Sequence, residues 1–226
     1  MPDISTINGV DITTLASFGG VAFADGQTVD GQNVALSNES HVFIDTTGAI
    51  SSGTSSVSFT SGFSSTYHSY EFHFINVATG YGGMEFQVNA AGQSGFNEPI
   101  VSYGRYAYHN ESDTGYSIGF SSVGSGQGQT SGATGKTDYV QINVDQEYNS
   151  SDAAAAGYLK IYNPTSTTYA KYFELRTVVM SYHPGVWETT AFGYINTTSA
   201  IDEIQFRARS TYTFSSGEIR MYGIKA

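Results

Sequence analysis

The segment Tyr103-Gly104-Arg105-Tyr106-Ala107-Tyr108-His109 carries the densest recognition chemistry in the chain. Aromatic faces stack on the C–H surfaces of sugars, and a guanidinium offers a planar fork of donors to hydroxyls or carboxylates. Tyr103, Arg105, Tyr106, Tyr108 and His109 are therefore the candidate glycan-binding residues. On a strand Tyr106 and Tyr108 share one face. Spacing leaves open whether that face is core or surface; a buried Tyr with its hydroxyl at the rim is the commoner arrangement. The single tryptophan, Trp187, likewise reads as core. A second cluster, Asp145, Glu147, Asn149 and Asp152, offers oxygen ligands at near-alternating positions and is a weak calcium candidate. It lacks the glycine and the terminal bidentate glutamate of an EF-hand loop, and such residues also form turns, so no metal site and no cofactor are expected.

Catalytic arrangements are harder to find. The five histidines, His41, His68, His73, His109 and His183, show no metal-ligand spacing such as HExxH. No nucleophile elbow, phosphate-binding loop or dinucleotide fingerprint occurs in its strand–helix context. Ser, His and Asp are all present, but in so serine-rich a chain their coexistence carries no weight. A glycosidase carboxylate pair is set in space and not by spacing, so hydrolysis of a surface polysaccharide stays as a third alternative. The expectation is a protein that is not an enzyme. The N-x-S/T triplets at Asn38, Asn110, Asn149 and Asn196 are what chance gives in this composition.

Composition limits the partners. Charged residues make up 13% of the chain, against about a quarter in ordinary domains. Ser, Thr, Asn, Gln and Gly must therefore cover the surface, as in proteins that work outside a cell. The net charge is −11, and no Lys or Arg precedes Arg105. Binding a phosphate backbone needs clustered bases, and adhesion to anionic lipid needs them too, so neither nucleic acid nor a membrane is an expected partner. No apolar run approaches the roughly 20 residues of a membrane helix. The N-terminus shows neither a basic n-region nor a continuous apolar h-region, so no signal peptide is expected and the protein would leave its cell another way, lysis being one. Cysteine is absent, which excludes disulfides and thiolate metal sites.

The elements that must position these residues read as strands. Period-two alternation runs through Tyr70/Phe72/Phe74, Met84/Phe86/Val88, Val140/Ile142/Val144, Leu159/Ile161, Phe173/Leu175/Thr177/Val179, Ile204/Phe206/Ala208 and Ile219/Met221. Pro99–His109, Tyr116–Phe120 and Val186–Asn196 bring the number to about ten, with turn clusters between them. So many short strands predict an all-β fold, an antiparallel β-sandwich of jelly-roll type. The Gly/Ser-rich run 121–135 predicts a surface loop.

Ahead of the sandwich the chain repeats itself. Ile4, Ile7, Val10 and Ile12 map onto Leu15, Phe18, Val21 and Phe23 at a constant offset of eleven, with Gly9 and Gly20 placed for turns. Two smaller echoes follow, Asp25-Gly26-Gln27-Thr28-Val29 and Asp30-Gly31-Gln32-Asn33-Val34. Units this short cannot bury their own apolar side chains and need a surface to lie on, unless the likeness is chance in a flexible terminus. The eight apolar residues are therefore the candidate anchor. The organisation expected is a docking arm at 1–36, a linker with a short strand at 37–56, and a sandwich at 57–226.

With these residues laid out, the chain resembles a loose group of tailed-bacteriophage virion proteins, especially those of marine phages. The resemblance rests on the opening Ile4-Ser5-Thr6-Ile7-Asn8-Gly9-Val10 and its second copy. It rests also on Tyr70-Glu71-Phe72-His73-Phe74-Ile75-Asn76-Val77, Leu159-Lys160-Ile161-Tyr162-Asn163-Pro164, and Ile201-Asp202-Glu203-Ile204-Gln205-Phe206. The closing Ser215-Ser216-Gly217-Glu218-Ile219-Arg220-Met221-Tyr222-Gly223-Ile224-Lys225 is similar to the end of phage fibre and head-surface proteins. The second arm copy departs from the pattern, with Phe18-Gly19-Gly20 where I-N-G would stand. The resemblance implies a non-enzymatic virion component whose arm docks on capsid or tail proteins and whose sandwich faces outward, as a head fibre, decoration or tail fibre. A carbohydrate-binding module for host-surface glycans is the alternative. A homo-oligomer is expected, with a trimer favoured because closed threefold rings suit capsid and tail geometry. The acidic first half and the basic residues of the second would favour heterologous contacts between neighbours, with Arg105, Arg207, Arg209 or Arg220 facing a neighbour's acids. A monomer tethered only by its arm is the alternative.

Overall fold

Among the described residues of the first forty, six two-residue strands pair as three hairpins. In the computed structural model β1 (Thr6–Ile7) pairs with β2 (Val10–Asp11), β3 (Ser17–Phe18) with β4 (Val21–Ala22), and β5 (Thr28–Val29) with β6 (Gln32–Asn33). The description covers the backbone of these strands and residues 41–80, 82–121, 138–143, 152–180 and 185–225. Every hairpin lies eleven residues after the last. The sequence between the paired strands is Asn8-Gly9, Gly19-Gly20 and Asp30-Gly31, the dipeptides that two-residue hairpin loops favour because both positions take φ > 0. The repeat is thus threefold: its third member cuts across the two small echoes read from the sequence and keeps the period. Residues 1–40 form one compact unit and 41–226 another.

The second unit is an antiparallel β-sandwich. Its strands are β7 (His41–Thr46), β8 (Ser56–Phe59), β9 (Ser69–Thr79), β10 (Met84–Ala90), β11 (Ile100–Asn110), β12 (Tyr116–Ser121), β13 (Val140–Gln141), β14 (Ala155–Tyr162), β15 (Lys171–Met180), β16 (Gly185–Ile195), β17 (Ile201–Ala208) and β18 (Phe214–Ile224). Eight make a wide sheet in the order β12-β11-β16-β15-β14-β9-β18-β7, and four make a narrow one, β13-β10-β17-β8. β7 pairs with β18 along its length. The segment expected as linker and short strand therefore contributes an edge of the wide sheet, and the sandwich begins at residue 41.

Alternation places the core. Tyr70, Phe72, Phe74, Leu159, Ile161, Phe173, Leu175, Ile219 and Met221 of the wide sheet are buried against Met84, Phe86, Val88, Ile204 and Phe206 of the narrow one. Aromatic rings tie the layers. Phe206 lies 5.4 Å from Phe72, 5.5 Å from Phe74 and 6.2 Å from Phe59, and Phe86 lies 5.3 Å from Phe173, within the range of favourable edge and tilted pairs. Lys171 is also buried. Its ammonium donates to the carbonyls of Thr197 (3.0 Å) and Ser199 (2.6 Å), and burial pushes its pKa down against the pull of Glu98.

One strand departs from the half-buried pattern. In β10 the alternating Glu85, Gln87 and Asn89, which the pattern puts in solvent, are buried together with Met84, Phe86 and Val88. Each has found partners. Glu85 accepts from Arg207 at 3.0 Å, Gln87 donates to the carbonyls of Glu98 and Asp138, and Asn89 donates to Gln93 and the Glu203 carboxylate. Burial raises the Glu85 carboxyl despite Arg207 and Arg209. Two glycines allow the wide sheet to bend. Gly157, at φ +148, stands where the β14–β9 register shifts, and a Cβ there would meet the Arg176 carbonyl at 2.1 Å. Gly217, at φ +115, stands at a shift between β18 and β9, with Val77 Cα 2.4 Å from its would-be Cβ.

Candidate functional site

The recognition segment forms most of β11, and the pleat divides its residues between two faces. Tyr106 and Tyr108 point with the core-facing set, since Tyr108 stands opposite Trp187 and Trp187 opposite the buried Val179. Both tyrosines are half-buried. Trp187 stacks on Tyr108 at 4.6 Å and 11° and tilts over Tyr106 at 5.1 Å. The expected buried-Tyr arrangement and core Trp are thus met in part. The three rings stack on the inner side of the wide sheet toward its β12 end, and Trp187 Nε1 is buried with no hydrogen-bond partner among the described residues. Tyr103, Arg105 and His109 lie on the opposite, outer face and are exposed. The five residues therefore do not form one site.

The outer face holds the more developed array. Register carries two cross-strand rows over the sheet. One runs Tyr103, Phe192, Glu174, Lys160, Glu71, Tyr222 and Phe43, from β11 to β7. The other runs Arg105, Thr190, Arg176, Tyr158, His73 and Arg220, from β11 to β18. Neighbouring strands lie about 4.8 Å apart, so the longer row spans about 29 Å. Between the rows a groove of about 410 Å³ is lined by Arg105, Tyr158, Glu174, Arg176, Glu188 and Phe192. Of these, only Arg105 belongs to the set singled out from the sequence. The others stand on β14, β15 and β16 in the phase opposite to the buried residues, and inter-strand register brings them beside Arg105.

Charges on this face are largely paired. Arg176 Nε lies 2.8 Å from Glu188, the Tyr162 hydroxyl donates to Glu174 at 2.8 Å, and Lys160 lies 3.0 Å from Glu71. Glu71 also meets His73 at 3.0 Å and His41 at 3.3 Å. Burial pushes the Glu71 carboxyl up, but the bonds from His73 and Lys160 and the nearby charges outweigh it, leaving its pKa below the usual value. Burial and the Glu174 carboxylate push the Tyr162 phenol up to about 12. Arg105, by contrast, has no ion-pair partner among the described residues. A guanidinium left without a carboxylate beside a half-open groove, with the rings of Tyr158 and Phe192 also lining it, is a donor fork available to a ligand.

Other expectations divide as follows. Arg207 and Arg209 pair with Glu85, and Arg220 with Glu218 at 2.8 Å, so these arginines find acids within the chain. Arg207 also lies 3.5 Å over the Tyr139 ring. Of the calcium candidates, Asp152 is exposed, and Asp145, Glu147 and Asn149 lie outside the described residues. Among the described residues no three His, Asp or Glu gather as a metal site. Of the anchor residues, Ile7 stands opposite Val10 and Phe18 opposite Val21 in the hairpin ladders, while Ile4, Ile12, Leu15 and Phe23 lie outside the described residues. The Gly/Ser loop at 121–135 lies outside them from residue 122 onward. No protein-family model matches the chain, and no curated protein matches it.

Proposed function

We propose that the protein is a non-enzymatic structural component of a bacteriophage virion. Its N-terminal hairpins dock on capsid or tail proteins, and its β-sandwich is displayed outward as a head fibre, decoration or tail fibre. The observation that carries this reading is the exact-period array of three hairpins, a compact unit separate from the sandwich. A two-residue ladder is not stable by itself in water, and a repeat that sets Ile7 opposite Val10 and Phe18 opposite Val21 in register suits ordering against a partner surface. Removing residues 1–40 tests it. The truncated chain should keep the circular dichroism and melting profile of the sandwich and no longer join particles; normal incorporation without the arm overturns the docking role.

The outer face favours a second activity alongside display, the binding of a host-surface glycan. Aromatic rings flanking a guanidinium that has no ion-pair partner among the described residues suit an extended sugar chain, with Arg105 bonding a hydroxyl or carboxylate. On a glycan array, Arg105→Ala and Phe192→Ala should each abolish a hit that Tyr106→Ala, on the opposite face, retains. Retention of binding in both outer-face variants rejects the groove, and release of new reducing ends from the bound glycan replaces binding by hydrolysis.

A further inference from the structure

Among the described residues β12 is an open edge of the wide sheet, and it is built unlike an edge that must stay alone. β12 reads Tyr116-Ser117-Ile118-Gly119-Phe120-Ser121, and among the described residues it pairs only with β11. Tyr116 is 80% exposed, Ile118 82% and Phe120 79%, and alternation puts all three on the outer face. Solitary edges are guarded by lysine, proline, inward charges or bulges, and β12 has none of these over its paired length. At the hairpin that leads into it, the Asn110 amide donates to the Gly115 carbonyl. Antiparallel alternation from that pair turns the N–H and C=O of Tyr116, Ile118 and Phe120 away from β11, toward the open edge. The strand thus presents both a backbone template and an apolar row.

We infer that β12 pairs antiparallel with β12 of a second copy of this chain about a twofold axis at Ile118. The row itself specifies that occupant. It is symmetric in kind, aromatic–aliphatic–aromatic, so a twofold sets Ile118 against Ile118 and Tyr116 against Phe120 of the other copy. Each face-to-face set is then apolar against apolar. The strand carries no charge, so a chain of net charge −11 meets its copy there without direct repulsion. Edge pairing covers the flanks of these three side chains and leaves their outer sides in solvent, so the contact is smaller than the ~1,000 Å² of a stable interface and the dimer is a concentration-dependent one.

The geometry differs from the threefold ring expected to suit capsid and tail geometry, and it stands independently of the docking arm and of the glycan groove. The test is the mass of the full chain by sedimentation over a concentration series. Wild type should move between monomer and dimer, and Ile118→Lys, which sets two like charges directly opposite one another, should raise the dissociation constant at least about 100-fold. Ile118 touches little in the monomer, so melting of that variant should be unchanged. The chain has no cysteine, which allows a second readout. Ile118→Cys should oxidise to a disulfide dimer, and Tyr169→Cys, at an exposed position outside β12, should not. A monomer at every concentration, a trimer, a dimer indifferent to Ile118→Lys, or equal cross-linking at both cysteines overturns the proposal.

Discussion

Replacing Phe206 with alanine probes the packing that holds the two sheets together. Phe206 is fully buried on β17, and its ring meets Phe72 and Phe74 of the wide sheet and Phe59 of the adjacent β8. Truncating a buried phenylalanine costs about 3–5 kcal/mol through lost transfer energy and the cavity left behind. The upper part of that range applies because the neighbouring rings stand on paired strands that cannot close the gap without shifting a sheet. A loss of about 4–5 kcal/mol in a domain of this size lowers Tm by about 8–20 °C. Urea unfolding followed by Trp187 fluorescence and by circular dichroism measures it, with coincident transitions as the check on two-state behaviour. Phe192→Ala on the outer face supplies the control: its ring is 45% exposed, so truncation should cost only about 1 kcal/mol. Equal losses for the two variants would refute the assignment of inner and outer faces.

Two further outcomes follow from local features. Because the Glu71 carboxyl titrates below its usual value in the folded protein, the stability it contributes is present above that usual value and is lost as pH falls through the lowered one. Glu71→Gln should therefore flatten the acid limb of a Tm-against-pH curve, and an unchanged limb rejects the His41–His73–Lys160 surround as a source of stability. Gly157→Ala should cost about 1–3 kcal/mol from its backbone conformation, with the clash against the Arg176 carbonyl adding to that, as read in a thermal melt; a neutral result means β14 does not need the bend.

Much of this architecture was legible in the chain. Tyr70, Phe72, Leu159, Phe173 and Ile204 announce their strands and their buried face by alternation alone, because one face of each strand is core and the other is not. β10 hid its surroundings. Glu85, Gln87 and Asn89 look solvent-facing, yet arginines and loop carbonyls from distant sequence cover them, and no local pattern encodes that cover. The threefold hairpin period was half visible, since Thr28-Val29-Asp30-Gly31-Gln32-Asn33 keeps the turn dipeptide but has lost two of the apolar positions that marked the first two copies. The outer-face groove was the least legible. Arg105 stood out by its aromatic company, but Tyr158, Glu174, Arg176, Glu188 and Phe192 join it only through the register of four strands, which alternation does not specify. That same alternation separated Tyr106 and Tyr108 from Arg105, because residues adjacent in sequence on a strand face opposite ways.

Gold-labelled antibody against the sandwich, applied to gradient-purified phage particles from cells expressing the protein, tests the virion assignment most directly. The account predicts that the chain co-sediments with intact particles, that label decorates their outside, and that both signals vanish when residues 1–40 are removed while the sandwich remains folded. Intact particles that carry no chain, or that expose it only after disruption, contradict the account.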